Sequence, residues 1–485
     1  MKKLIAVLMV VAIAGLLFSG CGGNQVKKDD LSEEVELVWY TPLFTEVTDL
    51  PMVTEKINEY LKTKINAKLK IVPVYGDGYN QKINVMTSAG EPFDLLFTCF
   101  WAAPFPNAVA QGQLMPLDDL LKDYGQGILK DEFPELWPAV TVKGKIYAVP
   151  DNGSVAYQQA FSFNKALVEK YNIDLKAIKT FPNLYTALKK VHGANQQLTC
   201  LSLNSFFYPA DKFDFLVAPG VPGAVMINDK TCKVVNQFEN PEFVNGLKIY
   251  REMYNDGLIP RDKANGSNVQ LFRRGDVVSE INVYGPRIDD WLGRTYGFPT
   301  VSIPANPNAV ITTRSATGNM LAIPSTSKHP ERAMMLLNLL TTDPYLANLV
   351  TFGLEGVHYT KIGPNRIKFT DKHKNFDISA PFTGNMMIKY LMENDPEGTL
   401  EDAKKANAAA IQSPAYGFTF DSEAVKTELS AMNNIAEQFN DQLFMGRADT
   451  EPAIKQYMEK LKSAGLDKVL AEMQKQVDEW LKTKK

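Results

Sequence analysis

The sequence predicts an α/β protein of two or three folding units with a helix-rich C-terminal part. Three observations carry that reading. The chain has 485 residues, too many for one ordinary core. From residue 35 the apolar spacing switches between strand and helix periods in the order β-α-β-α-β, the pattern of a parallel sheet with helical crossovers. From residue 422 onward nearly every segment fits a helix.

The elements follow in chain order. "VELVWY" at 35–40 alternates and is rich in β-formers, so it predicts a strand. Residues 52–65 place Val53, Ile57, Tyr60, Leu61 and Ile65 on one helical face. "AKLKIVPV" at 67–74 is a strand, and 78–90 a helix closed by a glycine. "FDLLFT" at 93–98 is a strand apolar enough to be buried on both faces. Ligands of such sheets gather beyond the C-terminal strand ends. Those ends are expected near Tyr40, Tyr75 and residues 99–101. Lys143-Gly144 predicts a turn before a short strand at 145–149, and 160–164 predicts another strand. The stretch 151–157 between them has the character of a connection between domains. Helices are expected at 182–191, 241–256 and 268–274, the second stopped by Gly257. Residues 276–285 read as a strand, and 316–340 as a strand, a polar turn and a helix capped near Ser327. The final helices break near Gly446 and Gly465.

Composition narrows the function. Charged residues make up 22% and the formal net charge is -3, with no basic stripe, which disfavours nucleic acid as a partner. The four cysteines show no CxxC spacing and no two of the four histidines stand at i, i+4, so neither metal nor cofactor is expected. Cys200 and Cys232 have the option of pairing in an oxidising compartment, although buried free thiols are the commoner outcome.

The N-terminus begins Met1-Lys2-Lys3, continues with an apolar run too short to span a bilayer, and reaches small residues before Cys21. That order resembles a bacterial lipoprotein signal, cut before the cysteine, which is then lipid-modified. Phe18 stands where such signals prefer leucine, a mild departure. An uncleaved anchor helix is the alternative. Residues 1–20 are thus expected to be a removed signal and 21–34 a polar tether.

Four later stretches resemble the extracellular solute-binding proteins of family 1, the maltodextrin-binding-like group. They are "SAGEPFDLLFTCFWAAPFPNAVAQGQLMPLDDLL" at 88–121, "KGKIYAVP" at 143–150, "LFRRGDVVSEINVYGP" at 271–286 and "GNMLAIPSTSKHPERAMMLLNLLTTDP" at 318–344. Phe93 interrupts the family's P-D pair, and Val278 and Ser279 replace its Ala-Met. "FGLEGVHYT" at 352–360 and the region after it are similar to the LipO-like lipoprotein subgroup. The resemblance implies two lobes of the type II periplasmic-binding fold, each a mostly parallel sheet flanked by helices, with solute held in the cleft between them. It implies a monomer that hands its solute to an ABC-type membrane permease and performs no chemistry. Lobe one is expected at 35–149 plus 313–352, and lobe two at 150–312 plus 353–485 with the tail.

A sugar needs aromatic rings for its CH faces and planar polar groups for its hydroxyls. Trp101, just past a strand end, resembles a stacking position of the family; its plainer role is a wedge under the next helix. Tyr40 is a second strand-end aromatic, equally suited to packing. Asp151 and Asn152 follow the Y-x-x-P motif where the family places polar ligand groups, or form an Asx turn before Gly153. Tyr157, Tyr284, Arg287 and Trp291 are further candidates, the last three around a glycine turn that lacks the family's tryptophan. Glu355 and Tyr359 lie in "GLEGVHY", near an expected lobe crossing.

Two rival functions remain at this level. A surface-anchored glycosidase needs two carboxylates flanking a sugar, and Asp151 and Glu355 fill those roles on paper. No nucleophile elbow, phosphate loop or zinc helix accompanies them. The other rival is the same fold binding a peptide, a polyamine or a metal chelate. Aromatic residues at strand ends favour an oligosaccharide.

Overall fold

The computed structural model describes residues 31–484 apart from 76–77, 154, 203–208, 262–267 and 286–287. The signal, Cys21 and Arg287 therefore lie outside the described residues, as does most of the tether. Among the described residues no helix is long and apolar enough to cross a membrane, and Cys99, Cys200 and Cys232 are free, buried thiols.

Lobe one opens with strand β1 (Val35–Leu43), helix α1 (Leu50–Ile65), strand β2 (Ala67–Tyr75), helix α2 (Tyr79–Ser88) and strand β3 (Leu95–Thr98). β1 lies between β2 and β3, parallel to both. Helix α1 buries Val53, Ile57 and Leu61 at the i, i+4, i+8 spacing that one helical stripe demands. It ends at Asn66 in the left-handed region, φ 46. The buried Arg332 guanidinium donates to the carbonyls of Ile65 and Asn66 at 2.6 and 2.5 Å, satisfying acceptors that a helix end leaves open. Strands Met320–Ala322 and Val149–Pro150 complete the sheet in antiparallel fashion.

The second sheet runs in the order Thr300–Pro304, Gln159–Asn164, Val277–Val283, Thr199–Ser202. Only the pairing of its last two strands is parallel, so a mostly parallel sheet in each lobe was too broad an expectation. The reason is topological. Gln159–Asn164 enters from the other lobe instead of returning through a helical crossover, so nothing constrains it to run parallel. The three tail helices, Lys426–Phe444, Thr450–Ser463 and Leu466–Thr483, pack into this lobe's core through Met432, Phe439, Tyr457, Leu461, Met473 and Val477. The break at Gly446 is fixed by proximity as well as by φ 66: a Cβ there would stand 2.2 Å from the Tyr250 carbonyl.

One expected boundary is displaced. Residues 353–485 were assigned to lobe two, yet Phe376, Ile378 and Phe382 belong to the lobe-one core. The excursion includes a small sheet of Tyr359–Gly363, Arg366–Phe369 and Leu391–Met392. The chain crosses over only after this sheet, because its apolar side chains pack beside helix Pro344–Phe352.

Three segments thus join the lobes, and they are bonded to one another. Tyr157 and Val310 exchange backbone hydrogen bonds of 2.7 Å in both directions. Val310–Ile311 pairs in parallel with Ile411–Gln412. Asn407 fastens the first crossing to the third: its Oδ1 accepts the Val155 and Ala156 amides at 3.1 and 3.0 Å, and its Nδ2 donates to the Gly153 carbonyl at 3.0 Å. Beneath lies a small apolar cluster drawn from all three crossings and lobe one, including Leu136, Ala156, Ile311 and Tyr416. Asn407→Ala should strand three buried backbone groups. A loss of about 3 kcal/mol in unfolding free energy is expected, from roughly 1–3 kcal/mol per buried unsatisfied group, measured as a lower denaturation midpoint.

Candidate functional site

A cavity of about 350 Å³ lies where the lobes meet. Phe100 and residues 104–107 form its lobe-one wall, Asp214 and residues 215–218 its lobe-two wall, and Phe418 and Phe420 close one side. Arg314 enters from the second crossing.

The lobe-one wall is a tight turn after β3. Asn80 holds it by donating to the Trp101 carbonyl at 2.8 Å and accepting the Ala103 amide at 2.6 Å. Ala103 takes φ 40, and the Cys99 sulfur accepts the amides of Trp101 and Ala102. This geometry turns Trp101 outward, 36% exposed, beside Phe44, which is 69% exposed. Their rings stand 5.7 Å apart, and both contact Phe382 underneath. The result is an aromatic ledge at the end of the sheet.

Arg314 belongs to the short helix Thr313–Ala316, whose start is fixed by a reciprocal Thr312–Ser315 capping box. Its guanidinium lies 4.0 Å from the Phe100 ring centre, within cation–π range. Burial lowers its affinity for its proton, while the nearby Cys99, Tyr157 and Asp214 raise it. Asp214 sits on strand Phe213–Phe215, paired with Ala224–Met226. Burial pushes its carboxyl up to about 6, opposed by a hydrogen bond from Ser413 and by Arg314. Oδ2 of Asp214 has no hydrogen-bond partner among the described residues. Asp211 nearby is likewise raised to about 6 by burial, with Lys212 opposing.

The residues singled out from sequence meet different fates. Trp101 stands on the ledge. Tyr157 lies on the first crossing; burial drives its phenol well above the usual range, Asp211 adds to that, and Gln159 and Arg314 oppose it. Tyr284 is half-buried and donates its amide to Gln158 at 2.6 Å, beside the same crossing. Trp291 is 53% exposed on helix Ile288–Tyr296. Tyr40 is corrected: β1 continues three residues past it, so Tyr40 is a mid-strand residue packed edge-on against Phe93 at 5.3 Å. The true strand end presents Phe44 instead.

Asp151 and Asn152 are buried hinge braces. Asp151 Oδ1 accepts the Met386 amide at 2.9 Å, and Lys389 stands near it. Burial raises the acid and lowers the lysine, while their attraction acts the other way on each. Lys389 is held by the carbonyls of Ala380 and Gly384. Asn152 accepts from Phe133 N at 2.9 Å and donates to the Asp131 carbonyl at 2.8 Å, and its side chain is buried. Glu355 lies on the surface in an ion pair with Lys361 at 3.1 Å, and Tyr359 packs against Tyr390. Tyr359 opens the small outer sheet and Glu355 bridges to it, so the expected crossing there does not exist. Sequence reasoning missed Phe44, Phe100, Asp214, Arg314, Phe418 and Phe420. Arg314 carried a faint signal, as the lone cation in the polar run before the Gly318 strand.

The sequence profile described as "Bacterial extracellular solute-binding protein" matches residues 46–347, and one described as a domain of unknown function matches 414–482. A carbohydrate ABC transporter substrate-binding protein of Streptococcus pneumoniae is 34% identical over 494 aligned positions, covering 98% of this chain and 97% of that protein. The crystal structure of the N-glycan transport solute binding protein from Streptococcus pneumoniae overlays with a TM-score of 0.85 at 33% identity, covering 93% of this chain and 100% of that one. The same protein in complex with Man5GlcNAc gives 0.77 over 93% and 99% of the two chains. In complex with Man1GlcNAc it gives 0.79 over 92% and 100%.

The raised acids set a pH dependence. Asp214 holds its proton in the native state up to about 6, against an ordinary value of 3.8. Between those values the folded chain binds more protons than the unfolded one, so stability contributed by this group falls as pH rises. Asp214→Asn should remove roughly 3 kcal/mol of that loss, at about 1.4 kcal/mol per pKa unit. The measurement is the melting temperature of the variant relative to wild type, which should rise between about pH 4 and about pH 7.

Proposed function

The chain belongs to the bacterial extracellular solute-binding protein family, and on that premise we propose that it is the capture component of an ABC-type importer with an oligosaccharide as its solute. The observation that carries the reading is the interlobe cavity lined by Phe100, Phe418, Phe420, Asp214 and Arg314, together with the exposed aromatic pair Phe44 and Trp101 at the end of the lobe-one sheet. Pyranose rings bury their CH faces on such aromatic surfaces, and Asp214 and Arg314 supply directed polar groups inside the cavity. The Streptococcus pneumoniae relative, crystallised with Man5GlcNAc and Man1GlcNAc, supports an oligosaccharide of that general kind.

Capture proceeds by lobe closure. Solute touching both lobes favours the closed form by its differential affinity for it. The protein acts as a monomer, tethered to the extracytoplasmic face of the membrane by a lipid on Cys21, and presents its closed form to the permease. It performs no chemistry on the solute. The carboxylates a glycosidase would enlist lie apart in function: Asp151 braces the hinge and Glu355 is paired on the outer surface.

A thermal-shift screen of oligosaccharides tests the capture reading. A true solute at 100 times its Kd should add about 2.7 kcal/mol of stability and compact the protein in small-angle scattering. Trp101→Ala should weaken that solute about tenfold, the loss of one stacked aromatic contact. Stabilisation by amino acids or peptides with none by any saccharide would contradict the assignment. For the tether, Cys21→Ser should move the protein from the membrane fraction to the medium with solute affinity unchanged. Retention in the membrane fraction would favour an anchor helix.

A further inference from the structure

The cavity offers three chemically different walls. Asp214 is an acceptor, 3% exposed, with Oδ2 unpartnered among the described residues and Ser413 hydrogen-bonded to the same carboxylate. Arg314 is a donor array that rests against Phe100 and makes no ion pair with any described carboxylate. Phe418 and Phe420 are apolar. A hydroxyl group can donate to the acid and accept from the arginine, but it has nothing to set against the apolar wall. An acetamido group matches all three with four heavy atoms: its N–H donates, its carbonyl accepts and its methyl is apolar.

Resting on the saccharide reading, we propose that this cavity is a subsite for the acetamido group of an N-acetylhexosamine unit, selected by Asp214 and Arg314. The amide nitrogen donates to Asp214, the amide carbonyl accepts from Arg314, and the methyl packs against Phe418 and Phe420. Charged alternatives fit worse. A uronate would set an anion beside a buried carboxylate, and a free amine would set a cation beside Arg314; each leaves a buried charge poorly matched. A site built around polar groups also rejects an analogue that lacks their partners more strongly than an apolar pocket rejects a smaller one. The volume, about 350 Å³, is at the small end of ligand pockets and suits one sugar unit rather than a chain. The ledge outside it is left for the remaining units.

The test is calorimetry on the full-length protein with mannosyl-GlcNAc and mannosyl-glucose, which differ by acetamido against hydroxyl; both are lengthened by the same mannose units if the disaccharides bind too weakly. Wild type should prefer the acetamido form by about tenfold or more, the worth of a charge-assisted hydrogen bond. Asp214→Asn and Arg314→Gln should each weaken the acetamido form more than the hydroxyl form and bring that ratio near one. A general loss of structure lowers both affinities and leaves their ratio, so the ratio separates selection from folding. Arg314 is only half-buried, and its variant carries the test should Asp214→Asn not fold. Equal affinity in wild type, or variants that keep the wild-type ratio, overturns the subsite alone. Absence of binding to every saccharide overturns the saccharide reading and the subsite with it.

Discussion

Everything in this molecule depends on three crossing segments that are hydrogen-bonded to one another rather than only to the lobes. A lone connector would let the lobes pivot about many axes. A ladder from Tyr157 through Val310 to Ile411 ties the three connectors edge to edge. Asn407 tightens this further, because one side chain satisfies three backbone groups of the first crossing from the end of the third. Irregular backbone is tolerated at a buried hinge only if its polar groups find partners. The ladder and the asparagine together meet that requirement.

The lobe-one side of the hinge is stiffened by buried charge. Asp151 takes the Met386 amide, and Lys389 spans two carbonyls of the same loop. A buried pair of this kind contributes little net stability, since desolvation offsets the attraction, but it penalises every arrangement that separates the partners. Glu132 lies close by, buried with both carboxylate oxygens unpartnered among the described residues. Burial first, then the nearby Asp151, holds its carboxyl well above the usual carboxylate range. The loop around residues 380–389 is thereby fixed to the first crossing, and Phe382 on it supports the ledge.

Local order was legible in the sequence where periodicity was strong. The first five elements, the helix at Pro241–Asn255 and the breaks at Gly446 and Gly465 were found within a few residues. What failed depended on contacts distant along the chain. Tyr40 was misplaced because β1 runs on through Thr41-Pro42-Leu43, paired with residues 73–75, and no local pattern announces that extension. Asp151 and Asn152 resemble solute groups in sequence, and only the arrival of Lys389, Met386 and Phe133 makes them braces. Glu355 and Tyr359 were tied to a crossing that the outer sheet postpones. Trp101 was legible because its position follows from one strand and one turn, both local.

The helical tail explains why the cavity could not be read from the family-like region alone. Residues 414–482 form a separately matched segment, yet they are not an appendage. Phe439 stacks on Tyr457 at 5.0 Å within the lobe-two core, and the Tyr457 hydroxyl bonds the Gly220 carbonyl at 2.5 Å. The same segment contributes Phe418 and Phe420 to the cavity as it leaves the third crossing. Asp214, on the facing strand, lines the same cavity, and Ser413, just before that segment, hydrogen-bonds its carboxylate. The segment therefore builds one side of the interlobe cavity as well as part of the lobe-two core, so the two separately matched regions meet at one gap between the lobes.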